Sequence, residues 1–207
     1  ISGTVTNVTG EGVMGVAVRN EGGGFGSNTT YTDHEGEYLI PRVRTDGGPS
    51  YRVRAEKAPY ATTYYVSALT VGDASMVVLT AGQRLAAGID IVLGGGASLS
   101  GQVVSSAGNP VVGCSIRIDP ENNDLSTKYF TTDNGGRYYA EGLTPGSYTV
   151  RAEADGLVIE YYNNHILEAS AEIITLATGE VRTGVDFELG SGGTITGTVV
   201  NSSGQPI

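Results

Sequence analysis

The sequence contains no tryptophan, a single cysteine and only two histidines. The lone Cys114 cannot form a disulfide within the chain, so cysteine usage gives no information about the cellular compartment. No apolar run approaches the roughly 20 residues that a transmembrane helix requires. We therefore expect no membrane insertion, and the two histidines leave little material for a zinc or nucleophilic site.

Positive charge is also scarce. The 207 residues include 12 basic and 22 acidic side chains, which gives a net charge of −10, and the lysines and arginines do not cluster. Nucleic acids and anionic membrane surfaces are bound through clustered basic side chains that neutralise phosphates. The composition therefore argues against both partners.

Glycine and tyrosine, with 32 and 12 residues, are abundant, and valine and threonine are frequent. This composition favours short strands joined by many turns. The stretch "YRVRAE" shows the alternation of a half-buried strand, because Tyr51, Val53 and Ala55 share one face and Arg52 and Arg54 the other. Such alternation predicts antiparallel sheets packed as a sandwich. In the first half we place seven strands, near residues 2–8, 14–20, 28–32, 37–41, 51–57, 75–79 and 88–93, and only 67–74 and 165–171 leave room for a helical turn.

The chain repeats itself. "ISGTVTNVTGEGVMGVAVRN" at Ile1 returns as "LSGQVVSSAGNPVVGCSIRI" at Leu99, and "GIDIVLG" at Gly88 returns as "GVDFELG" at Gly184. "ITGTVVNSSGQPI" at Ile195 begins a third copy. The repeats predict a first unit at 1–94, a second unit at 97–190, and the first strand of a truncated third repeat at 194–207. Because the linkers are only a few small residues long, we expect the units to lie end to end.

The order of the repeated motifs resembles a known family. The motifs are "SGxVxxxxGxxxxGVxV", "TDxxGxY", "GLxPGxYxVRA" and "GIDxxLG", and they occur in the same order in both units. This order is similar to that of the carboxypeptidase regulatory-like domains, which share a transthyretin-like β-sandwich. The resemblance implies an all-β chain of tandem seven-stranded antiparallel β-sandwiches. It also implies modules found mostly in secreted or cell-surface proteins, with no fixed activity.

The residues that could do chemistry do not repeat. His34 and Glu37 have the H-x-x-E spacing of the zinc set of metallocarboxypeptidases, but the second unit has Asn134 and Arg137 at these positions, and His165 lies in the other unit. Zinc needs several ligands that converge on one point, so we predict no metal centre here. The sequence predicts no catalytic residue, no cofactor and no enzyme activity.

A repeated aspartate and the single cysteine have structural explanations. Asp33 and Asp133 precede Gly-containing hairpin loops, where an aspartate commonly accepts hydrogen bonds from backbone N–H groups two residues on. Cys114 aligns with Val16 in the inward phase of its strand, so we expect a buried side chain that is not a nucleophile.

Three weaker binding hypotheses remain. The acidic loop "DPENND" offers oxygen ligands for calcium, although a solvated loop is the stronger expectation; the candidates are Asp119, Glu121, Asn123 and Asp124. The repeated pairs Tyr64-Tyr65 and Tyr161-Tyr162 each place one ring on either face of a strand, so one ring should be in the core and the other could stack on a sugar. The glycan-contact candidates are Tyr65, Tyr162 and Asn163, and the N-x-S/T triplets at Asn7, Asn28 and Asn201 are candidate glycosylation sites.

The sequence therefore favours non-catalytic structural or adhesive repeat modules of a larger extracellular or cell-surface protein, such as a stalk, spacer or fibre-forming array. Neighbouring repeats of the same protein would be the partners. Residues 194–207 could also link molecules head to tail by β-augmentation. A carbohydrate-binding module is the alternative function, and an accessory domain of a secreted hydrolase is the third.

Overall fold

The computed structural model describes residues 1–22, 26–46 and 48–207. Strands account for nearly all of the regular structure, as the composition predicts, and a three-residue 3₁₀ helix at Glu168–Ser170 lies in one of the two stretches left open for a helical turn. The strands of the first half are β1 (Ser2–Asn7), β2 (Ala17–Gly22), β3 (Thr29–Tyr31), β4 (Glu37–Leu39), β5 (Ser50–Glu56), β6 (Thr63–Tyr64), β7 (Val77–Val78) and β8 (Ile91–Leu93). Those of the second half are β9 (Ala97–Ser105), β10 (Ser115–Pro120), β11 (Lys128–Thr131), β12 (Arg137–Leu143), β13 (Gly146–Glu153), β14 (Glu160–Tyr161), β15 (Ile174–Leu176), β16 (Val181–Arg182) and β17 (Phe187–Leu189).

Each half forms a two-sheet sandwich, which confirms the predicted fold class. In the first half, a three-stranded sheet with order β4-β1-β8 faces a five-stranded sheet with order β3-β2-β5-β6, in which β7 also pairs with β5. The second half repeats this topology with β12-β9-β17 and β11-β10-β13-β14, where β15 pairs with β13, and it adds a short strand, β16, that also pairs with β9 in parallel. Two details differ from the prediction. A two-residue strand that contains the first tyrosine of each pair, β6 or β14, was not predicted, and the last strand of each half runs parallel to the first strand of that half rather than antiparallel.

Each sandwich has its own hydrophobic core. The cluster in the first half joins residues of both sheets, such as Val5 and Ile91 on one sheet and Val18 and Val53 on the other. The cluster in the second half draws only on residues between Ala97 and Leu189. Apolar side chains at alternate positions of each strand supply both cores, so burial of these faces is the main force that stabilises each sandwich.

The repeated signals have repeated structural roles. The Tyr38 hydroxyl donates a hydrogen bond to the carbonyl of Ile89 at 2.6 Å, and Tyr138 does the same to Val185 at 2.7 Å. Next to this contact, a side chain at Gly3 would lie 2.2 Å from the Ile89 carbonyl oxygen. The glycine is required there because the first and last strands approach too closely for a Cβ atom.

The turn between β3 and β4, which lie in different sheets, confirms the expected role of the repeated aspartates. Oδ1 of Asp33 accepts hydrogen bonds from the backbone N–H groups of Glu35 and Glu37, at 3.1 and 2.8 Å. Asp133 accepts the equivalent pair from Gly135 and Arg137, at 2.8 and 2.9 Å. The carboxylate thus stabilises the turn in both copies, and no ligand is needed to explain its repetition.

Residues 195–207 form a third copy of the first hairpin. Oδ1 of Asn201 accepts hydrogen bonds from Ser203 and Gln205, just as Oδ1 of Asn7 does from Thr9 and Glu11. Its apolar side chains are not covered, since Ile195 is 99% exposed and Val199 is 71% exposed. The local sequence is therefore sufficient to form this hairpin without a sandwich around it. Within the described ranges of the chain, no helix is long and apolar enough to cross a membrane.

Candidate functional site

The acidic loop is only partly free to bind a cation. The Asp119 carboxylate accepts hydrogen bonds from the side chains of Arg117 and Thr127, at 2.9 and 2.8 Å. Glu121, Asn123 and Asp124 lie on the exposed loop that follows β10. One of the four predicted ligands is thus already paired with an arginine, and calcium binding stays a prediction.

The tyrosine pairs are oriented differently from the prediction. Tyr65 and Tyr162 pack against the two cores, and the Tyr162 ring meets the Phe187 ring edge-on at a centroid distance of 6.4 Å. Tyr64 and Tyr161 are opposite Arg54 and Arg151 in the strand register, on the outer face of the sheet. The rings chosen as sugar platforms therefore lie on the core side of the sheet but are only half-buried, whereas Tyr64 and Tyr161 are the more buried members of the pairs. Asn163 is exposed, but its amide donates a hydrogen bond to Glu172 at 2.6 Å, and glycan binding stays a prediction.

The remaining candidate residues are the cysteine, the Asp33–Glu35 turn and the three sequons. Cys114 is fully buried, as expected, and burial raises the pKa of its thiol, so it is an unreactive core residue. Asp33, His34 and Glu35 bring side-chain ligand atoms within 4.8 Å of one another, but all three are exposed and the Asp33 oxygen already holds its hairpin. Asn7 is half-buried and hydrogen-bonded, whereas Asn28 and Asn201 are exposed, and glycosylation of these sequons stays a prediction.

A junction between the two sandwiches, which the sequence did not predict, is the best-formed site. The linker Gly94–Gly96 is fixed to the turn that follows β5: the carbonyl of Gly94 accepts the N–H of Ala61, and the N–H of Gly96 donates to Pro59, each at 3.2 Å. Tyr60 and Gly95 form an isolated antiparallel bridge between these two bonds. The linker is therefore part of the folded structure and not a free tether.

Glycines allow the backbones of the two sandwiches to touch at the junction. A Cβ atom on Gly96 would lie 2.5 Å from the Pro59 carbonyl oxygen and 2.8 Å from Cα of Gly142. Gly142 has a φ of +69°, and a Cβ atom there would lie 3.1 Å from the Tyr60 carbonyl oxygen. Because Gly142 belongs to the second sandwich and Tyr60 to the first, the absence of side chains at these glycines sets the distance between the two bodies.

An ion pair also joins the two sandwiches. Nζ of Lys128 on β11 lies 2.7 Å from Oε1 of Glu56 on β5, and Arg54 lies 3.8 Å from the other Glu56 oxygen. Partial burial pushes the pKa of Glu56 upward, but the hydrogen bond from Lys128 and the positive charges of Lys128 and Arg54 outweigh it, so the pKa is below its ordinary value. Both partners of the pair are partly exposed, so its contribution is about 0–1 kcal/mol and it mainly fixes orientation.

Apolar and polar side chains from both sandwiches line a cleft beside this ion pair. Thr62, Tyr64 and Leu69 come from the first sandwich, and Leu125, Leu143 and Tyr148 come from the second. Tyr64 is buried, and so is its counterpart Tyr161 in the second sandwich, so each ring is covered mainly within its own module. The junction thus has the composition of a protein–protein interface, with an apolar centre and charges at its edge.

Comparison with known proteins gives a family match for one of the two units. Residues 98–190 match the family model of the carboxypeptidase regulatory-like domain. This confirms the family resemblance for the second unit, and the first unit is related to it by the internal repeat. No curated protein matches the chain.

Several solved structures share a general likeness with the chain. The Bacillus anthracis TIE protein is 16% identical over 92% of this chain, with a TM-score of 0.37. A streptococcal ancillary pilin is 16% identical over 92%, with a TM-score of 0.39, and the shaft pilin SpaA from Lactobacillus rhamnosus GG is 12% identical over 94%, with a TM-score of 0.41. The chain spans 33%, 61% and 98% of the lengths of these three proteins. TM-scores this low do not establish a shared arrangement of the whole chain.

Proposed function

We propose that this protein is a non-catalytic structural element, in which carboxypeptidase regulatory-like modules at 1–94 and 97–190 are joined end to end as part of a longer array. The observation that supports this most directly is the junction. A hydrogen-bonded linker, a glycine contact and a cross-sandwich ion pair restrain the two modules, whereas a flexible tether would leave them independent.

We further propose that residues 194–207 are the first strand of another module of the same kind. This rests on the hydrogen bonds of the hairpin, which reproduce those of residues 5–13. In a complete module, the apolar side chains of this hairpin would be covered by partner strands, as Val5 is covered in the first sandwich. Neighbouring modules of the same protein are therefore the proposed partners.

We place the protein outside the cell or on its surface, as a stalk, spacer or adhesive surface. The acidic surface, the sequons and the resemblance to modules of secreted and surface proteins support this location. A catalytic role is not favoured, because the residues that repeat serve turns, core packing and the junction.

The test is whether the two sandwiches tumble as one body. Residual dipolar couplings measured for residues 1–93 and 97–189 should give one common alignment tensor, and small-angle scattering should give an elongated particle. Lys128→Met should make the alignment tensors of the two sandwiches differ, whereas Arg84→Met, at an exposed first-module arginine away from the junction, should leave them equal. Independent tensors in the unmodified protein would reject a rigid structural role.

A further inference from the structure

We propose that the second module carries an unoccupied docking surface for the module that follows it, and that this partner must present a lysine amine and an apolar side chain. We call this region the tail surface; it consists of Arg151, Glu153, Ile159 and Ile166, which are all exposed or half-buried. The inference rests on the proposed function, since it concerns an array with a further module. It specifies where that module docks and which chemistry it must carry.

The linker after the second module has the same hydrogen-bonding geometry as the linker after the first. The N–H of Val158 donates to the carbonyl of Gly190 at 2.9 Å, and the N–H of Gly192 donates to the carbonyl of Gly156 at 2.9 Å. An isolated antiparallel bridge joins Leu157 and Ser191 between them. These three contacts reproduce those of Gly94–Gly96 with residues 59–61, so the chain leaves the second sandwich in the same direction as it leaves the first.

The second module also repeats the charged residues with which the first module forms the junction. Arg151 is opposite Arg117 and Tyr161 in the strand register, as Arg54 is opposite Arg19 and Tyr64. Glu153 follows Arg151 by two positions and lies 3.2 Å from it, in the place that Glu56 occupies beside Arg54. In the first module this carboxylate receives the amine of Lys128, which fixes the orientation of the next sandwich.

The second module also has exposed apolar side chains at the positions that line the cleft of the first junction. Ile166 stands at the position of Leu69, which lines the cleft at the first junction, and it is 68% exposed. Ile159 replaces Thr62, and the neighbouring Val158 is 40% exposed. The second module therefore presents more apolar surface at this end than the first, and a cluster of exposed apolar side chains beside charged groups is typical of an interaction site.

The surface of the first module that corresponds to the tail surface contacts the second module, and this contact indicates which partner the tail surface would bind. The second module supplies Lys128 and Leu125 to the first junction. The first module of a second copy would place Asn28 at the position of Lys128, so it would bring no amine to Glu153. A second copy is thus a poorer fit than a following module with a lysine at this place, and the hairpin at 195–207 leads directly from the linker into such a module.

The experiment uses the full chain extended after Ile207 by a copy of residues 112–190, so that residues 195–207 serve as the first strand of a third module that carries equivalents of Leu125 and Lys128. We expect the second and third modules to share one alignment tensor. We also expect hydrogen exchange at the amides of Tyr161 and Ile166 to slow on the order of tenfold relative to the unextended chain.

Charge reversal identifies the contact. Glu153→Lys should separate the two tensors, and reversal of the third module's lysine to glutamate in the same protein should restore the common tensor. Glu35→Lys, at an exposed carboxylate in the first module, is the matched control and should change nothing. A third module that folds but reorients freely, or a Glu153→Lys variant that behaves as the control, would overturn the inference alone. A third module that fails to fold on residues 195–207 would overturn the proposed array and the inference with it.

Discussion

Gly96→Ala should loosen the junction without disturbing either core. The added methyl group would lie 2.5 Å from the Pro59 carbonyl oxygen, 2.8 Å from Cα of Gly142 and 3.0 Å from the Ala61 nitrogen. All three are backbone atoms, so no flexible side chain can move aside. The two backbones would have to separate by roughly 1 Å to restore ordinary van der Waals distances.

The size of the destabilisation depends on which parts of the structure can move apart. Overpacking of this kind costs about 1–3 kcal/mol when the surroundings are rigid. Here the junction can open while both sandwiches stay folded, so the loss cannot exceed the free energy that the junction contributes. We therefore expect a loss within this range, and a lower melting temperature by about 2–4 °C for each kcal/mol in a chain of this length.

The assay combines stability with orientation. Chemical denaturation should show a lower midpoint for Gly96→Ala, and residual dipolar couplings should show that the two sandwiches no longer share one alignment tensor. Gly94→Ala is the matched control, because a Cβ atom at Gly94 meets nothing within 4 Å. If Gly96→Ala and Gly94→Ala have equal stability and equal tensors, the backbone contact does not restrain the modules and the reasoning is wrong.

Three further predictions concern the interior and the hairpins. Cys114→Val should change the free energy of unfolding by less than about 1.5 kcal/mol, because the cysteine is a buried core residue, and rapid labelling of the native thiol would contradict this burial. Burial raises the pKa of Tyr148 to about 12 and raises the pKa values of Tyr38 and Tyr138 further. The stability that the neutral phenols provide is therefore present below the unfolded pKa of about 10 and should be lost as the pH rises through the folded pKa values. A denaturation midpoint that does not change with pH in this window would refute this prediction. Two backbone N–H donors lower the pKa of Asp133, so the stability that its carboxylate contributes is present above the unfolded pKa of about 3.9 and is lost on acidification. Asp133→Ala should remove this acid dependence and speed hydrogen exchange at the Arg137 amide. Unchanged exchange at Arg137 would exclude the proposed role of the carboxylate.

The functional candidates chosen from sequence were individual side chains, and here sequence reasoning was weakest. The contacts of Tyr65 and Tyr162 with the two cores could not be predicted, because strands of only two residues give no alternation from which the phase can be read. Glu56 and Lys128 carried no signal as a pair, because they are 72 positions apart and belong to different sandwiches. One sequence signal coincides with the junction: the outward-facing Arg54 and Glu56 repeat as Arg151 and Glu153, although Arg54 also pairs with Glu21 inside its own module.

The sequence by itself determined the all-β class, the two modules, the family of the second one and the turns. These depend on local rules, such as strand alternation, aspartates that hold hairpins, and glycines where strands touch, and each rule acts within a few residues or is repeated in the other module. Only the tertiary structure decided how the modules meet. The contact of Gly96 with Pro59 and Gly142, and the pairing of Lys128 with Glu56, arise when surfaces of two separately folded sandwiches come together. Such contacts depend on distances between residues far apart in the chain, which no periodic pattern records.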